Sequence, residues 1–227
     1  MQKVLVASFA MLLVGGLVEN ASALTLGSVD GTWTGSVGGA NVVISLDGDT
    51  ISWGNPASTA GKSSLNFDGS APPAKVFDID EAFSLGTFTH VNNPIYSGSG
   101  ITSAFLSIAL SFNDPAGLDD SYAFTFGVNE TPNVGTAKEQ RDIITFPAAY
   151  ASEVFDIGGQ LYTLQLLGFG ETSATSTEQF LTFENASNST YLWGRVTAAP
   201  VPEPATMLLF GTGLAGLAAF GRRRNRK

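Results

Sequence analysis

Apolar and polar residues alternate one by one along several stretches of this chain. The clearest stretch covers residues 101–112, where serines lie between the apolar positions. Its apolar side consists of Ala104, Leu106, Ile108, Leu110 and Phe112. A period of two places successive side chains on opposite faces of a β-strand, so we predict a half-buried strand here.

Shorter strand-like segments on both sides are separated by Gly, Pro, Asn and Asp. Gly38-Gly39 and Asp47-Gly48-Asp49 predict two successive hairpins, which join residues 32–37, 41–46 and 50–53. About eleven such strands, with no convincing amphipathic helix, predict an all-β domain. The expected architecture is an antiparallel two-sheet β-sandwich, jelly-roll-like in its connections. We assign the domain to residues 24–196 and a linker to residues 197–200.

The first 23 residues depart from this pattern. Met1-Gln2-Lys3 is a short positive region, residues 4–18 are apolar, and Ala21-Ser22-Ala23 has the A-x-A form of a cleavage site. These are the three parts of a secretory signal peptide, so we predict that residues 1–23 direct export.

The last 27 residues, 201–227, combine three features. Pro202, Glu203 and Pro204 form a short extended motif, and residues 205–220 contain no charge. Arg222, Arg223 and Arg224 then form a basic stop. A helix of this apolar length spans about 24 Å of a bilayer core that is about 30 Å thick. We predict a transmembrane helix that leaves the folded body outside, because basic residues stay on the cytoplasmic side.

This C-terminal combination resembles the PEP-CTERM sorting signal. The resemblance implies recognition and cleavage by an exosortase, a membrane transpeptidase of Gram-negative bacteria that make extracellular polysaccharide. The protein would then cross the inner membrane, be anchored transiently through its C-terminal helix, and reach the cell surface or the extracellular space. An ordinary C-terminal membrane anchor is the alternative interpretation.

The charge of the predicted domain and the absence of cysteine exclude several kinds of partner and site. Residues 24–200 contain 5 basic and 18 acidic side chains, a net charge of −13 against −9 for the whole sequence. Such an acidic body repels nucleic acid, so we expect no nucleic-acid partner. The chain has no cysteine, which excludes disulfides, thiolate ligands and thiol nucleophiles.

His90 is the only histidine, and it lies in the motif Thr89-His90-Val91-Asn92. We favour a structural role, in which both ring nitrogens bridge neighbouring groups, and we predict that His90 is buried and fully hydrogen-bonded. The functional interpretation is a metal ligand or an acid/base. However, zinc needs three or four ligands, and the chain has one histidine, no cysteine and no G-x-S-x-G nucleophile motif. We therefore predict no enzyme and assign no catalytic residue.

Thr89, His90 and Asn92 match the T-H-x-N signature of the THxN family of PEP-CTERM proteins. Residues 126–133, 166–169 and 182–185 also resemble blocks of that family, and choice-of-anchor K surface domains are similar. The resemblance implies a surface location and a fold, and it implies no reaction.

Loop carboxylates and aromatic side chains are the remaining candidates. Asp78, Asp80, Asp119 and Asp120 are weak candidates for one calcium site, because calcium prefers oxygen ligands on loops. We predict no other cofactor. Five aromatic side chains could stack on sugars, although core packing is the favoured role of the first two. They are Trp33, Trp53, Tyr96, Tyr191 and Trp193.

The sequence therefore favours a non-enzymatic surface or matrix protein associated with exopolysaccharide or biofilm. A carbohydrate-binding module of that matrix is the alternative. A glycan hydrolase is the third hypothesis, and it requires two carboxylates that face each other across a cleft.

Overall fold

A computed structural model describes residues 24–70, 75–114, 119–146, 154–157 and 160–198. The signal peptide, the sorting motif and the C-terminal helix that we predicted lie outside these residues. Within the described part of the chain, no helix is long and apolar enough to span a bilayer.

The described residues form an all-β structure, with one short 3₁₀ turn at Ser173–Thr175. Its strands, in chain order, are β1 (Leu24–Gly38), β2 (Val43–Ile44), β3 (Thr50–Trp53), β4 (Ser63–Gly69), β5 (Lys75–Phe77), β6 (Ala82–Asn92), β7 (Ile101–Asp114), β8 (Asp119–Asn129), β9 (Asp142–Thr145), β10 (Val154–Ile157), β11 (Gln160–Gly170), β12 (Gln179–Thr182) and β13 (Ala186–Ala198). Strand β13 includes Thr197 and Ala198, which we had assigned to the linker.

The strands form two open antiparallel sheets. Sheet I has the order β12-β9-β8-β7-β1-β5, and sheet II has the order β10-β11-β13-β6-β4-β3-β2. The prediction of two antiparallel sheets is confirmed, whereas the jelly-roll connectivity stays a prediction. The apolar side predicted for residues 101–112 is buried along β7.

Phenylalanine rings from both sheets meet in the core. Phe88 of β6 in sheet II lies 5.2 Å from Phe126 of β8 in sheet I, measured between ring centroids. It also lies 5.8 Å from Trp33 and 5.1 Å from Phe169. Edge-on and tilted ring pairs of this kind add stability beyond the burial of their area. The two sheets are therefore held face to face by one continuous aromatic cluster.

The hairpin predicted at Gly38-Gly39 is wrong. Strand β1 pairs with β7 along its length, and β2 pairs with β3 in the other sheet. Both glycines have positive φ, as a two-residue hairpin turn requires, but here the chain uses them to cross between sheets. A Cβ on Gly39 would lie 2.5 Å from the Ile101 side chain, so glycine also permits this close passage. The hairpin predicted around Gly48 is confirmed.

Candidate functional site

Polar residues from both sheets meet at one end of the sandwich. His90 lies near the end of β6, Glu130 follows the end of β8, and Asp142 begins β9. A ring nitrogen of His90 and one oxygen from each carboxylate all lie within 4.8 Å of one another. Among the described residues, this is the group of at least three histidine and acidic side chains close enough to share one ion. We call it the His90 cluster.

The His90 ring is fully buried and held on two sides. Its Nδ1 lies 2.8 Å from the Thr182 Oγ1, and its ring stacks on Trp53 with 5.8 Å between centroids and 16° between planes. Its Nε2 has no hydrogen-bond partner among the described residues. The predicted burial is confirmed, but the predicted complete hydrogen bonding is wrong, because no donor or acceptor among the described residues reaches Nε2.

Each carboxylate is held through one of its oxygens. The Trp53 indole Nε1–H donates to Glu130 Oε1 at 2.5 Å. The backbone N–H of Thr131 donates to Asp142 Oδ1 at 2.8 Å, and the Thr131 hydroxyl donates to the same oxygen at 3.3 Å. Asp142 Oδ2 is buried without a donor. Indole and backbone donors therefore orient both carboxylates while leaving one Asp142 oxygen available.

Burial governs the protonation of all three groups. It lowers the pKa of His90 to about 3, so the ring is neutral near pH 7. Burial, reinforced by the Glu130 charge, raises the pKa of Asp142 to about 8. Burial also raises the pKa of Glu130, and the bond from Trp53 partly offsets this rise. The two neighbouring carboxyl groups therefore resist being ionised together.

Glu130 connects the cluster to the surface. Its side chain is half-buried and borders a cleft of about 370 Å³ that Tyr96, Gly98 and Asn133 also line. His90 and Asp142, in contrast, are 0% and 1% exposed. A small solute in the cleft therefore reaches Glu130 first, and a polymer chain cannot contact the two buried side chains.

The remaining T-H-x-N residues have different surroundings. Asn92 faces inward, and its Nδ2 donates to the backbone oxygen of Thr182 at 3.3 Å, whereas its buried Oδ1 has no donor. The Thr89 hydroxyl lies 2.9 Å from the Ser189 hydroxyl on the other face of β6. The motif thus supplies His90 to the cluster, Asn92 to the buried surroundings of Thr182, and Thr89 to the outer sheet surface.

Sequence reasoning missed Glu130, Asp142 and Thr182 as partners of His90. Two of these residues could have been noticed in the segments that resemble family blocks. Glu130 lies in residues 126–133, and Thr182 begins residues 182–185. Asp142 lies outside those blocks. His90 and Glu130 are 40 residues apart, and Glu130 and Asp142 are 12 apart, so the cluster has no local spacing that a sequence motif could reveal.

The calcium candidates lie on separated strands. Asp78 and Asp80 occupy the turn between β5 and β6, and Asp119 and Asp120 begin β8. Strands β1 and β7 lie between β5 and β8 in sheet I. The Asp119 and Asp120 side chains are outside the described set. A calcium site that uses these residues stays a prediction.

The aromatic candidates divide between core and surface. Trp33 and Trp53 are 1% and 0% exposed, so their predicted core role is confirmed. Tyr191 is exposed beside Trp193, with 73° between the ring planes. Tyr96 is 63% exposed at the cleft. The Tyr191–Trp193 pair is not coplanar, so it does not form a flat platform for a sugar ring.

Comparison with known proteins identifies the C-terminal segment. Residues 200–224 match the family model of the PEP-CTERM protein-sorting motif. The chain therefore carries this motif, which indicates export and exosortase-dependent sorting of a surface protein. It includes the predicted motif residues Pro202, Glu203 and Pro204 and the basic residues Arg222, Arg223 and Arg224. No curated protein matches the chain.

Proposed function

Because the chain carries a PEP-CTERM sorting motif, we propose that it is a non-enzymatic protein of the cell surface or extracellular matrix, associated with exopolysaccharide. A signal peptide exports it, the C-terminal helix anchors it transiently, and an exosortase removes the tail. The match at residues 200–224 is the observation that carries this proposal.

The position of the motif fits processing outside a folded domain. Strand β13 ends at Ala198, and the matched segment begins at residue 200. Pro202 and Pro204 restrict the chain between them to extended conformations, which suits a peptide bound in an enzyme cleft. Cleavage there would release the sandwich without cutting any of its described strands.

The geometry of the His90 cluster supports a non-enzymatic role. Glycosidases hold two carboxyl groups about 5–9.5 Å apart on either side of a substrate. The Glu130 and Asp142 oxygens lie within 4.8 Å of each other, and Asp142 is buried. No glycosidic bond can enter between them, so this pair does not have the arrangement that glycan hydrolysis requires.

Tail processing provides the test in a bacterial host with its own exosortase. We expect mass spectrometry to show that the wild-type protein has lost its tail. An internal epitope should show that the body has left the inner membrane. The double variant Pro202→Ala, Pro204→Ala should keep its tail and stay in the membrane. Pro132→Ala, at an exposed proline of the body, serves as the control. Equal processing of the double variant, or unchanged processing after deletion of the exosortase, would contradict the proposal.

The cleft beside Tyr96 favours a second candidate function, a carbohydrate-binding module. An exposed tyrosine on the wall of a 370 Å³ cleft can stack on a sugar, and Glu130 and Asn133 offer polar contacts. Retardation of the protein in a gel that contains the host's exopolysaccharide, lost in Tyr96→Ala, would support this alternative. Equal mobility with and without the polymer would exclude it.

A further inference from the structure

We propose that His90, Glu130 and Asp142 bind one divalent transition-metal ion, with Zn²⁺ as the best-fitting ion. The three donors come from strand β6 of sheet II and from the adjoining ends of β8 and β9 in sheet I. A bound ion would therefore link the two sheets at the end of the sandwich. This inference is independent of the sorting function.

Two members of the His90 cluster carry buried polar atoms without a hydrogen-bond partner among the described residues. His90 Nε2 and Asp142 Oδ2 are both buried without a hydrogen-bond partner among the described residues, and both side chains belong to a group whose donor atoms lie within 4.8 Å. Asn92, two residues along the same face of β6, has a third unpartnered atom, Oδ1. Buried polar atoms normally have partners, so three of them at one end of the core require an explanation. A cation, with a bound water for the amide oxygen, would satisfy all three.

The hydrogen bonds of Thr182 prepare the imidazole for this role. The Thr182 hydroxyl donates its one proton to the backbone oxygen of Asp142, so it accepts a proton from His90 Nδ1–H. This arrangement fixes the tautomer in which Nε2 carries a free lone pair. Metal-bound histidines typically donate their other ring N–H to an acceptor of this kind, which holds the ring without touching the metal.

The distances are compatible with a compact ion. An ion at the centre of an equilateral triangle with 4.8 Å sides lies about 2.8 Å from each corner. Zinc bonds to imidazole and carboxylate are about 2.0–2.2 Å long, so each ligand needs to move inward by about 0.8 Å at most. Rotation of three side chains can supply that movement.

The donor set distinguishes zinc from calcium. Imidazole is a common ligand for zinc and its neighbours in the first transition row, whereas calcium takes six to eight oxygen atoms. One nitrogen and two carboxylates leave a fourth tetrahedral position for a water molecule, and of the three ligands Glu130 borders the cleft. An ion bound here would reach its site through the cleft.

A direct test measures zinc binding to the full chain, in detergent, free of any polyhistidine tag and stripped with EDTA. Calorimetric titration with Zn²⁺ should show one site per chain, and saturation should raise the melting temperature. His90→Gln should abolish this site, and Glu130→Gln should weaken it. Glu171→Gln, at an exposed glutamate outside the cluster, should bind as the wild type does.

Thr182→Val separates metal binding from folding. Valine keeps the shape of the threonine side chain but cannot accept the proton of His90 Nδ1, so we expect zinc affinity to fall about 10- to 100-fold. If His90→Gln fails to fold, this variant and Glu130→Gln still decide the question. The inference is overturned if the wild type binds no zinc, if Glu130→Gln and Thr182→Val bind it as tightly as the wild type, or if Ca²⁺ displaces it at equal concentration.

Discussion

Replacement of Asp142 by asparagine should change how stability depends on pH in the metal-free protein. Asparagine has nearly the shape of aspartate, so its side-chain oxygen can still accept the bonds from Thr131. It cannot ionise. The variant therefore removes one titration from the His90 cluster with little change in packing.

The magnitude follows from two opposed pKa shifts. The Asp142 pKa rises from 3.8 to about 8 on folding, so this residue lowers the free energy of unfolding as pH rises through that interval. The His90 pKa falls from 6.5 to about 3, so His90 raises the free energy of unfolding with pH up to about 6.5. The two slopes cancel between about pH 4 and 6.5. Above this range the contribution of Asp142 alone is about 1.5 pH units at about 1.4 kcal/mol each, a loss of about 2 kcal/mol by pH 8.

The assay is urea unfolding followed by tryptophan fluorescence, in EDTA, from pH 4 to 9. Relative to Asp142→Asn, wild type should lose about 2 kcal/mol of stability between pH 6.5 and 8, because the titrations that the two proteins share cancel in the difference. Glu130 and Glu184 also face Asp142, and burial raises the pKa of both. Asp68→Asn, at an exposed aspartate, controls for the loss of one charge. If the free energy of unfolding depended on pH in the same way in wild type and in Asp142→Asn, this reasoning would be refuted.

Two further substitutions test the packing of the sandwich. Phe88→Ala should lower the free energy of unfolding by about 3–5 kcal/mol, measured by urea unfolding, because it removes a fully buried ring that contacts rings of both sheets. A loss below 1 kcal/mol would show that the aromatic cluster is not the joint between the sheets. Gly69→Ala should cost about 1–3 kcal/mol more than Gly35→Ala. The new Cβ would lie 2.1 Å from the Val29 backbone oxygen at Gly69, but 3.4 Å from the Phe105 ring at Gly35; equal melting temperatures would contradict this.

The alternation of apolar and polar residues, together with the turn residues between segments, was enough to predict most of the strands. Alternation identified β7 and its buried face, because period two directly records which side chains leave water. The turn at Gly48 was also predictable, since its neighbours pair with each other. The crossing between sheets at Gly38 could not be predicted, because a glycine with positive φ occurs both in a hairpin turn and in a connection between sheets. Only the partner of β1, which is β7 and lies more than sixty residues away, distinguishes the two.

The His90 cluster could be predicted only in part, for the same reason. Burial of His90 followed from its position on an alternating strand, where it shares a face with Phe88 and Asn92. Its partners depend on how β8 and β9 in sheet I lie across from β6 in sheet II. No pattern within one strand specifies which residues of the opposite sheet face it. The family-like blocks that contain Glu130 and Thr182 were the nearest available indication.

The His90 cluster is costly if it is only part of the core. A buried polar atom without a partner destabilises a protein by about 1–3 kcal/mol, and three such atoms lie on His90, Asn92 and Asp142. An apolar cluster such as the one around Phe88 would join the same sheets without this penalty. The penalty at His90 and Asp142 disappears when one cation bonds to the ring nitrogen and the carboxylates, because the neutral imidazole and the adjacent acidic groups then become ligands. A domain with no cysteine gains in this way a cross-link that needs no disulfide.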